Sequence, residues 1–451
     1  MTAAPIPLAD SIGAERHPRG LAYLAFTEAW ERFSFYGMQA LLVLYMVDHL
    51  LLPGTARDVW GLEGLRAGLE SLFGPLSTQA FASQIFGLYT GFVYFTPVFG
   101  GMLGDRVLGP RRTVVLGALL LALGHLLMAF EASFVVALMI LVLGVGCLKG
   151  NISTQVGRLY PKDDPRRSHA FSLFNVAINT GAFAAPLVCG TLGEVYGWAW
   201  GFGAAAVGML VGLAIYLAGG RHMPADTLRQ RNPGVPRPRL QSGDHRVIGA
   251  LFVMLILGTF FSIAYGQEFN VFPLWARETL SRDLFGWTMP VTWFAALDGA
   301  FVVGLTPVVL RIWQGQARRA AEPSDMGKMA IGAALGAAGM ACLAAASMLA
   351  GQGAHVSMLW GVACFALCAA GFLYQWPPTL ALISNAAPGP VNATMMGGAF
   401  FFSGFVSNYL AGWLGGFYGA MSPAGFWLMH GGISLVGALA TWVAIRPLNS
   451  I

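Results

Sequence analysis

The stretch LAYLAFTEAWERFSFYGMQALLVLYMV, residues 21–47, is an apolar run interrupted near its middle by Glu28, Glu31 and Arg32. About 20 apolar residues, at a rise of 1.5 Å each, are enough to cross a bilayer. A charge near the bilayer centre costs at least about 2.5–3.5 kcal/mol, so these three side chains need a partner or a wet cavity. On a helix Glu28 lies one turn from both Glu31 and Arg32, which puts all three on one face. Two acids beside one base cannot both be neutralised by it. One carboxylate is left to hold an exchangeable proton, which is what a proton-driven carrier requires. A cluster that only fixed helix packing would balance its charge.

The rest of the chain repeats this apolar pattern. Of 451 residues 56% are hydrophobic and 10% charged, against roughly 25% charged in soluble domains. Spanning stretches fall near 21–47, 80–104, 113–130, 132–157, 169–190, 198–219, 246–275, 287–313, 326–350, 356–383, 392–416 and 424–445. The expectation is an all-α membrane protein of twelve transmembrane helices. Arg57, Arg66, Arg277 and Arg282 fall in loops on one side, Arg32 and Lys149 fall within spans, and the other Lys and Arg residues all fall on the opposite side. That bias places both termini in the cytoplasm, and a bacterial inner membrane is the expected location. The layout divides into a tail (1–20), a six-helix bundle (21–219), a basic Pro/Arg-rich linker (220–245), a second six-helix bundle (246–446) and a short tail (447–451). The linker's basic run 231–239 is suited to anionic headgroups. Val59, Leu62, Leu65, Leu69 and Leu72 recur at helical spacing in the outer segment 49–79, which predicts a short amphipathic helix along the surface. Two six-helix halves around a basic central loop are the layout of the major facilitator fold, whose halves rock about a midplane site.

Other polar residues in the spans are candidates for that site. Lys149, in GCLKGNIS (146–153), needs an anion, supplied by Glu28 or Glu31 or by a substrate carboxylate. Asp298 is read as a cavity-facing acid, while Glu268 either faces the site or caps a helix break. His125 and His430 read as packing residues. In the loop 100–113, Asp105, Arg106, Arg111 and Arg112 suggest a charge latch between the halves, beside their plain role in setting topology. The five cysteines lie in apolar runs without disulfide or metal spacing. No metal site, cofactor or nucleic-acid partner is expected, and no nucleophile–base set or phosphate loop points to an enzyme.

These motifs resemble the proton-dependent oligopeptide transporter family of the major facilitator superfamily over most of the chain. Glu28-Ala-Trp-Glu31-Arg32-Phe33 looks like its proton-coupling signature, and Lys149-Gly-Asn-Ile-Ser153 like its fourth-helix lysine motif. The run 171–181, with Asn179, is similar to its fifth-helix signature, except that Asn175 stands where tyrosine is usual. Tyr94-Phe-Thr-Pro97, Met395-Met-Gly397 and Asn408-Tyr-Leu-Ala-Gly412 resemble its second and eleventh helices. The resemblance implies that Glu28, Glu31, Arg32 and Lys149 couple protons. It also implies that Arg32 and Lys149 receive a substrate carboxylate, with Phe35, Tyr36, Tyr94 and Asn179 at the cavity.

The second half departs from the family. Its usual seventh-helix tryptophan and glutamate fall on Ser262 and Gly266, leaving Tyr265 and Gln267, and the eighth-helix Asn-Pro pair becomes Asp298-Gly299. Its tenth-helix glutamate, which faces a peptide's amino terminus, becomes Phe372, and its eleventh-helix tryptophan falls on Ala399, before Phe400. Asp298 is then the expected partner of a substrate ammonium, with Phe372, Phe400 and Phe401 narrowing the pocket. The expected function is proton-coupled uptake of small carboxylate-bearing, di- or tripeptide-like molecules by a monomer through alternating access. A carrier or exporter of a non-peptide or drug-like solute is the alternative, and a non-transporting receptor is a weaker one.

Overall fold

The computed structural model describes residues 17–161, 164, 166–226, 228, 240–241, 243–351 and 355–448. Residues 1–16, the basic run 231–239 and the last three residues lie outside the described residues. Among the described residues, twelve long helical rods occupy 19–50, 78–108, 110–127, 134–158, 166–196, 198–218, 244–268, 293–318, 325–350, 359–386, 392–415 and 423–448. Ten of them are apolar and long enough to cross a membrane on those grounds alone. The first (19–50) carries three central charges, and the eleventh (392–415) carries Asn392, Ser403, Ser407 and Asn408 along its length.

Two span boundaries differ from the sequence reading. The seventh span ends in a 3-10 turn at Gly266–Glu268, and a separate helix, Phe272–Thr279, starts after it with Pro273 in its first turn. Pro273 sits in the first turn of that new helix, where its missing N–H has no ladder partner to lose, so the apolar run 246–275 is two helices. The eighth span starts at Trp293, not near 287, because Asp283–Leu284 and Trp287–Thr288 pair as a small antiparallel hairpin. Phe285 and Gly286 turn that hairpin with φ of 55° and 83°, and Asp283 Oδ1 accepts from Gly286 N at 2.9 Å. Asp298 is thus in the second turn of its helix.

The amphipathic helix expected in the segment 49–79 forms at Leu62–Phe73, between Gly61 and Gly74, which both have φ of 78°. It docks on the protein through buried Leu62 and Leu69, with Val59 just ahead of it, while Trp60 N donates to Ala132 O at 2.9 Å. Leu72, expected on the same stripe, is 75% exposed, so the buried face is narrower than the periodicity implied.

Packing divides the rods into two sets. The first span packs on the fifth and sixth, and the third on the fourth and sixth; in the other half the ninth packs on the tenth and twelfth. Between halves the second span meets the eleventh and the fifth meets the eighth. Exchanging the halves maps the second span onto the eighth and the eleventh onto the fifth, so one pair becomes the other, as expected of two halves related by a pseudo-two-fold axis. Close approach depends on glycine. A Cβ on Gly100 would lie 1.9 Å from Gly146 O in the fourth span, and one on Gly87 would lie 2.6 Å from Asn408 O across the halves. Gly100→Ala is therefore expected to destabilise the protein by about 1–3 kcal/mol, read as a lower thermal midpoint in detergent; an unchanged midpoint would contradict this packing.

Candidate functional site

Glu28, Glu31 and Arg32 converge as their spacing requires, and they are 3%, 1% and 4% exposed. Arg32 Nε is 3.2 Å from Glu28 Oε1 and in direct contact with Glu31 Oε2. The fifth span seals this face. Gly181 lies so close that a Cβ there would be 2.1 Å from Ala29 O and 3.0 Å from Arg32 Cβ. Two carboxylates share one guanidinium here, and hydrogen bonding is not complete. Glu28 Oε2, both oxygens of Glu31, and Arg32 Nε and Nη2 are buried without a hydrogen-bond partner. Such groups are costly unless water or a proton completes them in some state of the working cycle.

Lys149 does not form the ion pair that its position suggested. No carboxylate of the described residues lies within 4.0 Å of its ammonium, which sits 4.0 Å above the centroid of the Tyr94 ring. Desolvated ammonium–ring contacts of this kind are favourable by about 2 kcal/mol, and Glu28 and Glu31 act on the ammonium only from beyond contact distance.

Tyr94 is a wall of a cavity of about 500 Å³ that both halves share. Of the expected site residues, Tyr36, Tyr94, Asn179, Tyr265, Asp298, Phe372 and Phe400 line it. The Tyr265 hydroxyl donates to Asp298 Oδ1 at 2.5 Å. Its ring stacks between Phe261 and Phe372, with centroids 5.5 and 5.7 Å away, and the column holds the carboxylate at the cavity edge.

Other expected residues lie off the wall. Gln267 is fully buried, donating to Ala411 O at 2.9 Å and lying 2.9 Å from His430 Nε2, so it ties the seventh span to the eleventh and twelfth. Phe35 is buried edge-on to Tyr36 and beneath the Arg32 guanidinium, 5.4 Å from its ring centroid. Arg32 and Lys149 are not wall residues; Lys149 borders the cavity through Tyr94. Glu268 is buried beside the Cys368 thiol and away from the wall. Arg111 does not reach across the halves: its backbone N–H donates to Asp226 Oδ1 at 3.0 Å and its Nη2 to Gly220 O at 2.9 Å. Arg112 lies beside it near Tyr216, and Asp105 and Arg106 occupy the helical turn Gly104–Leu108.

Sequence reasoning passed over several wall residues, among them Gln39, Gln375, Trp376 and Asn408. Gln39 lies one turn after Tyr36 and Gln375 one turn after Phe372, which was the available signal.

The cross-half hydrogen bonds of the described residues gather at the end of the molecule that carries the segment 49–77. Arg277 pairs there with Asp48, Gln79 Nε2 donates to Gly415 O at 3.0 Å, and Trp293 Nε1 to Thr191 Oγ1 at 2.8 Å. The Glu194 carboxylate accepts from Val291 N at 3.0 Å, Thr292 N at 2.9 Å and Thr292 Oγ1 at 2.6 Å. It closes the start of the eighth span with a carboxylate from the end of the fifth.

Comparison with known proteins places the chain among peptide carriers in sequence and fold. The chain is 31% identical to the peptide transporter YePEPT of Yersinia enterocolitica, over 89% of this chain and 88% of that one. It is 30% identical to a di-/tripeptide transporter of Lactococcus lactis subsp. cremoris, over 96% of both. Among solved structures, peptide transporter POT in complex with sulfate superposes with a TM-score of 0.84 at 26% identity, covering 98% of this chain and 97% of that one. A mutant peptide transporter POT in complex with alafosfalin gives 0.84 at 27%, with the same coverage. The model of the POT family, PTR2, matches residues 111–236 and 237–426. With that match over most of its length, the chain belongs to the POT family.

Proposed function

We propose that this protein is a proton-coupled symporter that takes up di- and tripeptides by alternating access. The observation that carries this is the buried set of two carboxylates on one guanidinium, Glu28 and Glu31 with Arg32, beside a cavity built from both halves. A site with one acid too many binds a proton when it is isolated from water and releases it when it is not. Lys149, with no carboxylate of the described residues within 4.0 Å, supports binding of a substrate carboxylate across Tyr94. Asp298 offers the opposite charge to the substrate ammonium, since Tyr265 engages only one of its oxygens.

With the lysine and arginine bias taken as cytoplasmic, the hydrogen-bonded end is the outer one. The conformation is then closed outside, and its bonds at Glu194, Asp48 and Thr191 must part for the cavity to open outward. The aromatic lining from Phe372 and Phe400 favours small or apolar side chains. We place the chain in a bacterial inner membrane as a monomer, with both termini in the cytoplasm.

Uptake of a radiolabelled dipeptide into proteoliposomes, driven by an imposed proton gradient, tests the proposal. Asp298→Asn is expected to raise KM for a dipeptide roughly tenfold, about 1.4 kcal/mol, while leaving uptake of its N-acetyl derivative unchanged. Equal affinity of wild type and variant for the free dipeptide would remove Asp298 from the amine site.

A further inference from the structure

Several polar side chains on the cavity wall are already committed to the protein. Asn179 Nδ2 donates to Asn175 O at 2.8 Å, Asn408 Nδ2 donates to Gly404 O at 2.6 Å, and the Tyr265 hydroxyl is held by Asp298. Gln39 and Gln375 differ. Both line the cavity, at 9% and 6% exposure, and each has a buried Oε1 with no hydrogen-bond partner. Neither side-chain amide is hydrogen-bonded to protein among the described residues.

A buried amide without partners is destabilising, and packing alone gives no reason to keep one where leucine would fit. Two such amides, on opposite walls of one cavity, point to a shared ligand. Gln39 comes from the first span and Gln375 from the tenth, each one helical turn beyond an aromatic wall residue. Gly258 makes the room for the second: a Cβ there would lie 3.1 Å from Gln375 Nε2. Turning either amide end over end exchanges its donor and acceptor faces without changing its shape.

A primary amide carries both donors and an acceptor, the complement of a peptide group's C=O and N–H. Lys149 and Asp298 are ionisable and suited to the ends of a zwitterion; the glutamines are neutral and suit its middle. We propose that Gln39 and Gln375 read the peptide group of the substrate, and so select molecules with an amide bond over amino acids of equal length without one. This assignment rests on the peptide-carrier reading above.

The test compares glycylglycine with 5-aminolevulinic acid, which has CH2 in place of the peptide N–H and keeps both charged ends, the carbonyl and the length. Competition for proton-driven uptake is measured in wild type, Gln39→Leu, Gln375→Leu and the double variant. Wild type is expected to favour glycylglycine about tenfold, the effect of leaving one buried acceptor unpaired. In the double variant the preference is expected to fall below about twofold through loss of glycylglycine affinity, with 5-aminolevulinic acid little changed.

Gln→Met substitutions, closer in shape, repeat the comparison if the leucine variants do not fold. An unaltered ratio in the folded double variant, equal losses for both compounds, or a wild type without preference would each overturn the assignment. A wild type that takes up neither compound overturns the peptide-carrier reading itself, and this assignment with it.

Discussion

Glu31→Gln is expected to abolish concentrative uptake while leaving exchange of labelled for unlabelled dipeptide intact. The substitution keeps the shape of the side chain and leaves one carboxylate, Glu28, opposite Arg32. Charge is then balanced within the pair, and the reason for binding a proton is gone. Moving one charge across a 100 mV potential supplies about 2.3 kcal/mol, so losing it lowers the attainable accumulation ratio roughly 50-fold. Glu28→Gln is expected to do the same, because Arg32 Nε touches both acids and either one suffices to neutralise it. Counterflow needs no net proton movement and should persist, which separates uncoupling from misfolding. Wild-type accumulation by both variants would remove this cluster from the coupling step.

Lys149→Gln is the second large effect. Its ammonium rests on Tyr94 with no carboxylate of the described residues within 4.0 Å, so it is poised for an anion from outside the protein. Truncating one partner of a buried charged pair costs about 2–5 kcal/mol, roughly 30-fold to several thousand-fold in affinity. The loss should be confined to substrates with a free carboxylate. Binding of a dipeptide and of its C-terminal amide, compared by calorimetry, reads this directly. Wild type should discriminate between them and Lys149→Gln should not. Equal weakening of both would show that Lys149 supports the fold and not the carboxylate.

Some of the site was legible in the chain because certain residues break a local rule. Glu28, Glu31, Arg32, Lys149 and Asp298 are charges within apolar runs, and each run names its own exception. Gln39 and Gln375 break no such rule. A neutral amide in an apolar helix is tolerated whether it faces a cavity or a neighbouring helix, and nothing in its own run says which. Gln267 shows the converse. It was expected on the wall, yet its amide is spent on Ala411 and His430. The ends of the seventh and eighth spans were obscured for another reason. Hydropathy reports that 269–275 and 287–292 are apolar enough to enter lipid, but not that Pro273 restarts a helix or that Phe285–Gly286 turns a hairpin.

The sequence by itself determined that twelve segments leave water and that the first carries an unbalanced set of charges, because the free energy of placing a residue in lipid belongs to that residue and its own helix. Only the tertiary structure decided which faces meet. It set Lys149 on a tyrosine ring, turned Gln267 away, and brought Gln39 and Gln375 to one cavity from opposite halves of the chain. Those outcomes depend on how each helix is rotated against partners hundreds of residues away, and no local pattern encodes that rotation.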